Sequence, residues 1–322
     1  MTTTDTTVSA LPSEIRPPQR TFRWRVPPWL WQNPILIKDL RGRMRGMRSL
    51  LGLTIYIGLV SLAIVLIYSS ITSINSSLQV DTLQTIGRSI FFTVYGIELI
   101  VVCMASPAVT AGAISTEKEQ QTYDLLRTTL LSARALVLGK LLAAISYVIL
   151  FIIATIPLQA LALIFGGLTP AEIILSQLIL ILTALAFGSV GIFFSSFITK
   201  TRLATGAAQF TSLALVLVIP LMLLMATILF DNRWNFSQRT DLEQILFLAI
   251  IWLIGITSPT ITAVFTELFF YEELALFFVT QQLPSGNLIY IPSPWLGFVI
   301  LYPILILLLL SFAIRNVKKV ET

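Results

Sequence analysis

Six long apolar runs dominate the chain, and each is long enough to cross a lipid bilayer. They lie at about residues 50–71, 89–114, 138–165, 173–198, 203–230 and 295–314. A helix needs about 20 mostly apolar residues to cross a hydrocarbon core about 30 Å thick. Because lipid offers no hydrogen bonds, every backbone group must be bonded within the protein, which a helix achieves. The sequence therefore predicts an all-α polytopic membrane protein with six transmembrane helices in residues 50–314.

Composition supports this class and excludes several kinds of chemistry. Hydrophobic residues make up 56% of the chain and charged residues 11%, whereas soluble domains carry about 25% charged residues. There is no histidine, and Cys103 is the single cysteine. Histidine-based metal sites, Ser-His triads and internal disulfides are therefore excluded. The sequence has no GxxxxGK[ST] phosphate-binding loop, so we expect this chain to hold no catalytic residue, metal or cofactor.

The segment before the first span changes from polar to basic. Residues 1–20 are rich in Thr, Ser and Pro and predict a disordered tail. Residues 21–49 predict an amphipathic helix on the membrane surface, with apolar side chains on one face and basic ones on the other. A basic topology signal with no further role is the alternative interpretation. The residues assigned to this interfacial helix are Asn33, Pro34, Lys38, Asp39, Arg41 and Arg45.

The distribution of basic residues predicts the topology. If the N-terminus is cytoplasmic and the spans alternate, nine Lys and Arg precede the first span on the inner side. Four more lie between spans two and three, two between spans four and five, and three after the last span, which makes 18 of the 21. Positive residues favour the cytoplasmic side. Both termini, including the tail 315–322, are therefore predicted to be cytoplasmic in the cell membrane.

The region at about 242–283 allows two interpretations. It could cross the membrane twice, or it could form a hairpin that enters from outside and returns. Two crossings would place the acidic loop TELFFYEEL, which lacks a basic residue, on the cytoplasmic side. The sequence therefore favours an outer re-entrant helical hairpin before the last span.

A polar segment, Ser115–Lys140, interrupts the apolar runs between spans two and three. Thr116 followed by Glu119 has the spacing of a capping box and predicts a helix start there. Residues Glu117–Leu131 then predict a docking helix with a partly apolar face, and Ser132–Lys140 the entry to the third span. The residues assigned to this helix are Glu117, Glu119, Thr122, Leu125, Leu126, Thr129, Leu130 and Leu131.

Glu98 is the single acidic residue deep inside a predicted span. A buried carboxylate is costly in a membrane, so it is a candidate for function. The alternative is a structural glutamate that is protonated or hydrogen-bonded to Tyr or Thr. The sequence leaves both interpretations open.

Two motifs resemble the type-2 family of ABC transporter permeases. The segment NPILIKDLRGRMR is similar to the family's entry motif at Asn33, Pro34, Lys38, Leu40 and Arg41. The segment from Ile114 to Ala144 resembles the family's cytoplasmic signature, although Leu130 replaces a frequent Pro and Gln121 a common Gly. The matching positions of that signature are Glu117, Glu119, Thr122, Leu125, Leu126, Thr129, Leu131, Ser132, Gly139 and Lys140.

The resemblance implies an exporter built from two permeases and two ATPase subunits. It implies a homodimer, or a heterodimer with a paralogous permease, in the lipid bilayer, with ATP and Mg bound by the partner ATPase. It also implies that the helix after the second span docks on that ATPase, and that nucleic acid is not a partner. A polytopic membrane enzyme and a passive anchor of a signalling complex are the alternative functions.

Overall fold

The computed structural model describes residues 47–74, 80–122, 132–230, 240–273, 277–283 and 285–319. Within them, six helices are long and apolar enough to cross a membrane, which confirms the predicted fold class. In chain order the elements are α1 (Met47–Ile74), α2 (Val80–Glu119), α3 (Ala133–Phe165), α4 (Pro170–Phe197), α5 (Thr201–Leu213), a π-helix (Ala214–Val218), α6 (Ile219–Phe230), α7 (Asp241–Thr257), α8 (Pro259–Glu273), β1 (Phe278–Gln282), β2 (Leu288–Pro292) and α9 (Pro294–Lys319).

Helix α4 lies at the centre of the bundle and packs against α2, α3, α5 and α9. Two-thirds of its most apolar stretch is buried, against about a tenth in α1. Glycines allow this close packing. A Cβ atom at Gly191 would lie 2.9 Å from the Pro107 carbonyl oxygen of α2, and one at Gly188 would overlap Ile145 of α3. The α2–α4 contact therefore brings two backbones together.

The ends of α3 and α4 follow from their sequences. The Ser132 hydroxyl accepts a hydrogen bond from the Ala135 amide and caps α3. Thr169 caps α4 in the same way, with Pro170 in the first turn. Between the two helices, Gly166 and Gly167 have φ angles of 85° and 84°, which glycine adopts without strain. Residues close in the sequence therefore define this turn and the starts of both helices.

The fifth span consists of α5, the π-helix and α6, and its centre is irregular. Residues Ala214–Val218 form a π-helix, and Pro220 follows shortly after it. Proline has no N–H and cannot bond the carbonyl four residues earlier, which is that of Val216. The Thr260 hydroxyl of α8 donates a hydrogen bond of 3.0 Å to that carbonyl instead. A side chain of α8 therefore compensates the bond that Pro220 cannot make.

After the fifth span, two shorter helices and a β-hairpin precede α9. Helices α7 and α8 meet at Ser258, and they have 17 and 15 residues. Strands β1 and β2 pair antiparallel, an element that the sequence analysis did not predict. The Trp252 indole of α7 donates a hydrogen bond of 2.7 Å to the Pro292 carbonyl. The hairpin therefore lies against α7.

The polar segment begins differently from its prediction. Helix α2 does not end at residue 114 but continues to Glu119, so the predicted helix start at Thr116 is wrong. The Thr116 hydroxyl instead lies 3.4 Å from that of Thr201. Residues 1–46 and 123–131 lie outside the described residues, and with them the tail, the six interfacial-helix residues and most of the predicted docking helix.

Candidate functional site

A buried lysine joins the end of α2 to α3. The Lys140 ammonium lies 2.5 Å from Glu117 Oε1 and donates a hydrogen bond of 2.5 Å to the Ala113 carbonyl. Its side chain is 5% exposed and that of Glu117 is 26% exposed. A buried cation is stable only when it is paired and hydrogen-bonded. Lys140 meets both conditions through partners on α2.

Two neighbouring side chains of α2 join it to the next pair of helices. Lys118 donates a hydrogen bond of 2.5 Å to the Ser196 carbonyl at the end of α4. Glu119 Oε2 accepts one of 3.2 Å from the Thr201 amide. Lys200, the residue before α5, makes no side-chain cap, so Glu119 supplies the acceptor that this helix N-terminus lacks.

Helix α9 reaches the same place through Asn316, whose side-chain amide donates a hydrogen bond of 2.6 Å to the Ser196 carbonyl. We name the set Glu117, Lys118, Glu119, Lys140 and Asn316 the Lys140 cluster. It connects the end of α2 with α3, with the end of α4 and with the start of α5, and it connects α9 with the end of α4. This is the end of the bundle that the basic residues predict to be cytoplasmic.

The chain leaves the Lys140 cluster through a tight turn. Gln121 has a φ angle of 57°, and the amides of Gln121 and Thr122 donate to the carbonyls of Lys118 and Glu117. A residue with positive φ after a helix end favours glycine, which is the residue common at this position in the family that the motif resembles. Thr122 is exposed, and Leu125, Leu126, Thr129, Leu130 and Leu131 lie outside the described residues.

Glu98 is at the centre of a second polar group. It is 1% exposed. Its Oε1 accepts a hydrogen bond from Thr155 Oγ1, and its Oε2 accepts bonds from Gln159 Nε2 at 2.7 Å and Gln177 Nε2 at 3.5 Å. Gln177 also donates to Gln159 Oε1 at 2.9 Å. We name these four residues the Glu98 cluster.

The Glu98 cluster joins α2, α3 and α4 inside the bundle. Both carboxylate oxygens are engaged by donors, so the geometry favours the structural interpretation of Glu98 over a role in moving ions. Sequence reasoning missed Thr155, Gln159 and Gln177. Two glutamines inside apolar spans were the available signal, since polar side chains in a membrane helix face other helices and bond across them.

The described part of the chain contains no group of three or more His, Cys, Asp or Glu that could hold a metal ion. Glu98, Glu117 and Glu119 are on one helix, but they lie in two separate clusters.

Comparison with known proteins gives one family. A family model described as ABC-2 family transporter protein matches residues 44–236. The matched range includes α1 to α6, the Glu98 cluster, the Lys140 cluster apart from Asn316, and the segment between α2 and α3. A search of the curated proteins gives no match.

Proposed function

Because the chain belongs to the ABC-2 family of transporter proteins, we propose that it is the permease subunit of an ATP-driven exporter and is coupled to a separate ATPase. Membership makes it a multi-pass membrane component of an ABC transporter. Beyond family membership, we propose coupling to an ATPase, transport in the export direction and assembly as a dimer. A permease without a phosphate-binding loop needs motion supplied by a partner, so the contact with that partner is the central question.

The Lys140 cluster is the observation that carries this proposal. A force on the segment after Thr122 can move the spans only if that segment is firmly joined to them. Ion pairing and hydrogen bonds fix the end of α2 to α3, to the end of α4 and to the start of α5, and α9 bonds the same Ser196 carbonyl that Lys118 bonds. A partner that pushes on residues 123–131 would therefore act on several spans at once.

Helix α2 would carry that motion across the membrane. It is one helix of 40 residues, which at 1.5 Å per residue is about 60 Å long. Near its other end, Arg88 Nε donates a hydrogen bond of 2.9 Å to the Gly167 carbonyl in the α3–α4 turn. A displacement of α2 at Glu119 would thus also move the α3–α4 turn at the opposite end of the bundle.

The least buried spans support assembly with a second permease. About a tenth of the apolar stretch of α1 and a sixth of that of the fifth span are buried within the chain. Side chains such as Leu203 and Phe210 of α5 are 61% and 74% exposed. In a membrane, such exposed faces contact either lipid or a second permease. We propose that α1 and α5 form the contact with a homodimer or paralogous partner.

The contacts of α7 and α8 support the re-entrant hairpin. Asp241, at the start of α7, accepts a hydrogen bond from the Ser285 amide of the β-hairpin turn. Thr260, just after the break between the helices, bonds the centre of the fifth span. Glu267, further along α8, is close enough to Arg88 near the start of α2 to interact electrostatically. These contacts support a segment that enters the membrane domain and returns to the same side.

The test is purification of the chain with its ATPase and measurement of ATP hydrolysis. We expect Leu126→Asp to abolish complex formation and stimulated hydrolysis, because the predicted docking face is apolar. The matched control is Leu242→Asp, which places the same charge on an exposed position of α7. If Leu126→Asp bound and stimulated the ATPase like the control, the assigned docking helix would be wrong. A passive anchor would show no nucleotide-dependent transport in vesicles.

A further inference from the structure

A cavity of about 160 Å³ lies between α2, α4 and α8, apart from both polar clusters. Aromatic and aliphatic side chains form most of its wall, among them Phe91, Phe92, Leu175 and Val264. Phe92 and Val264 are 41% and 46% exposed, so the cavity opens toward the surface of the bundle. An apolar cavity of about 150 Å³ accommodates a benzene ring.

Four polar groups in this wall lack a hydrogen-bond partner within the described residues. They are Tyr95 OH, Glu172 Oε2, Thr266 Oγ1 and Glu267 Oε2. Each of these side chains is more than nine-tenths buried and lines the cavity. Buried polar atoms are almost always satisfied in native proteins. Four unsatisfied ones in the same cavity therefore indicate a ligand.

The charges in and near the cavity specify the kind of ligand. Arg88 interacts electrostatically with both Glu172 and Glu267. One guanidinium against two carboxylates leaves one negative charge when all three groups are ionised. Aromatic faces such as those of Phe91 and Tyr95 attract cations. Water could bond the two hydroxyls, but two carboxylates buried in the same cavity stay ionised together only when a cation compensates their charge.

We propose that this cavity binds an organic monocation, such as an ammonium group attached to an apolar group the size of a phenyl ring. The cation lies between Glu172 and Glu267, and the apolar group lies against Phe91 and Phe92. The mostly apolar wall disfavours a bare metal ion, which prefers a shell of oxygen ligands. That this cation is the cargo of the permease rests on the proposed function; that it binds here does not.

The first test measures binding of radiolabelled benzyltrimethylammonium to the full chain in lipid nanodiscs without the ATPase. Phenylmethanesulfonate, of similar shape and opposite charge, is the ligand control. We expect the cation to bind and the anion not to bind. Glu267→Gln should weaken cation binding by about tenfold or more, because it removes one of the two charges. Glu243→Gln, at an exposed position of α7, should leave binding unchanged.

A second variant fills the cavity without removing a charge. Gly96 lines the cavity, and a Cβ atom added there would meet no atom within 4 Å. Leucine also favours helix more than glycine does, so Gly96→Leu is expected to fold and to abolish binding. Gly58→Leu on α1, where a Cβ atom is equally free, is the control and should bind normally.

Each outcome of these measurements decides the proposal. Equal binding of the cation and the anion would overturn it, as would wild-type affinity in either Glu267→Gln or Gly96→Leu. If phosphatidylethanolamine in the nanodisc competes with the cation, the natural source of the ammonium is a lipid headgroup; if it does not, the source is a free amine. Specific cation binding without ATP-driven transport of that cation would retain the site and refute its role as the binding site for the cargo.

Discussion

The ion pair of Lys140 with Glu117 offers the sharpest test of how the end of α2 is held. In Lys140→Met the aliphatic stem is kept and the ammonium is lost. Glu117 Oε1 then loses its partner, and its Oε2 already has none among the described residues. Breaking a fully buried ion pair costs about 3–5 kcal/mol. Glu117 is a quarter exposed, so water compensates part of the loss and we expect a destabilisation of about 1.5–3 kcal/mol.

The assay is the free energy of unfolding of the purified chain in mixed micelles. Arg134→Met, an exposed position on the same helix, is the control and should change it by less than about 0.5 kcal/mol. A double-mutant cycle of Lys140→Met with Glu117→Gln should give a coupling energy of about 1–2 kcal/mol. In the assembled transporter, the Lys140→Met permease should also stimulate ATP hydrolysis less than the unmodified permease does. A loss of stability no larger than that of Arg134→Met would refute the reasoning.

Two further predictions concern the packing of α2. Gly191→Ala should destabilise the chain by about 1–3 kcal/mol, because its Cβ atom would lie 2.9 Å from the Pro107 carbonyl oxygen. The control is Gly206→Ala, which has free space around it and should be neutral or stabilising in the same unfolding measurement. Glu98→Leu should destabilise the chain by about 2–4 kcal/mol because it leaves the Gln159 amide without its acceptor. Glu98→Gln should lower the free energy of unfolding by less. If both variants lowered it equally, hydrogen bonding would not be the cause.

The spans were predictable because a continuous apolar run and a bilayer thickness define a helix almost alone. Polarity, by contrast, marks where a helix leaves the lipid and not where it ends. For that reason α2 extends to Glu119, beyond the predicted end at residue 114, and stops where Gln121 adopts a positive φ angle. The caps at Ser132 and Thr169 were recognisable from local sequence, since they depend on neighbouring residues alone.

Contacts between spans were not predictable from one sequence. Glu98 was recognised as exceptional, but its partners Gln159 and Gln177 lie 61 and 79 residues later. Nothing in an apolar helix tells which neighbour its face will meet. Lys140 likewise matched a motif, although its ion pair with Glu117 appears only in the fold. The β-hairpin left a weak signal, a turn around Gly286 between two strand-like runs.

The hydrogen bond from Thr260 to Val216 restricts the amino acid at position 260 more than the one at position 216. The acceptor is a backbone carbonyl, which every amino acid supplies, whereas the donor is a side-chain hydroxyl. Position 216 can therefore change without losing the bond, as long as Pro220 keeps that carbonyl free. Position 260 requires Thr or Ser. Among natural relatives we expect the fifth span to vary in sequence at 216 while residue 260 keeps a hydroxyl wherever position 220 is proline.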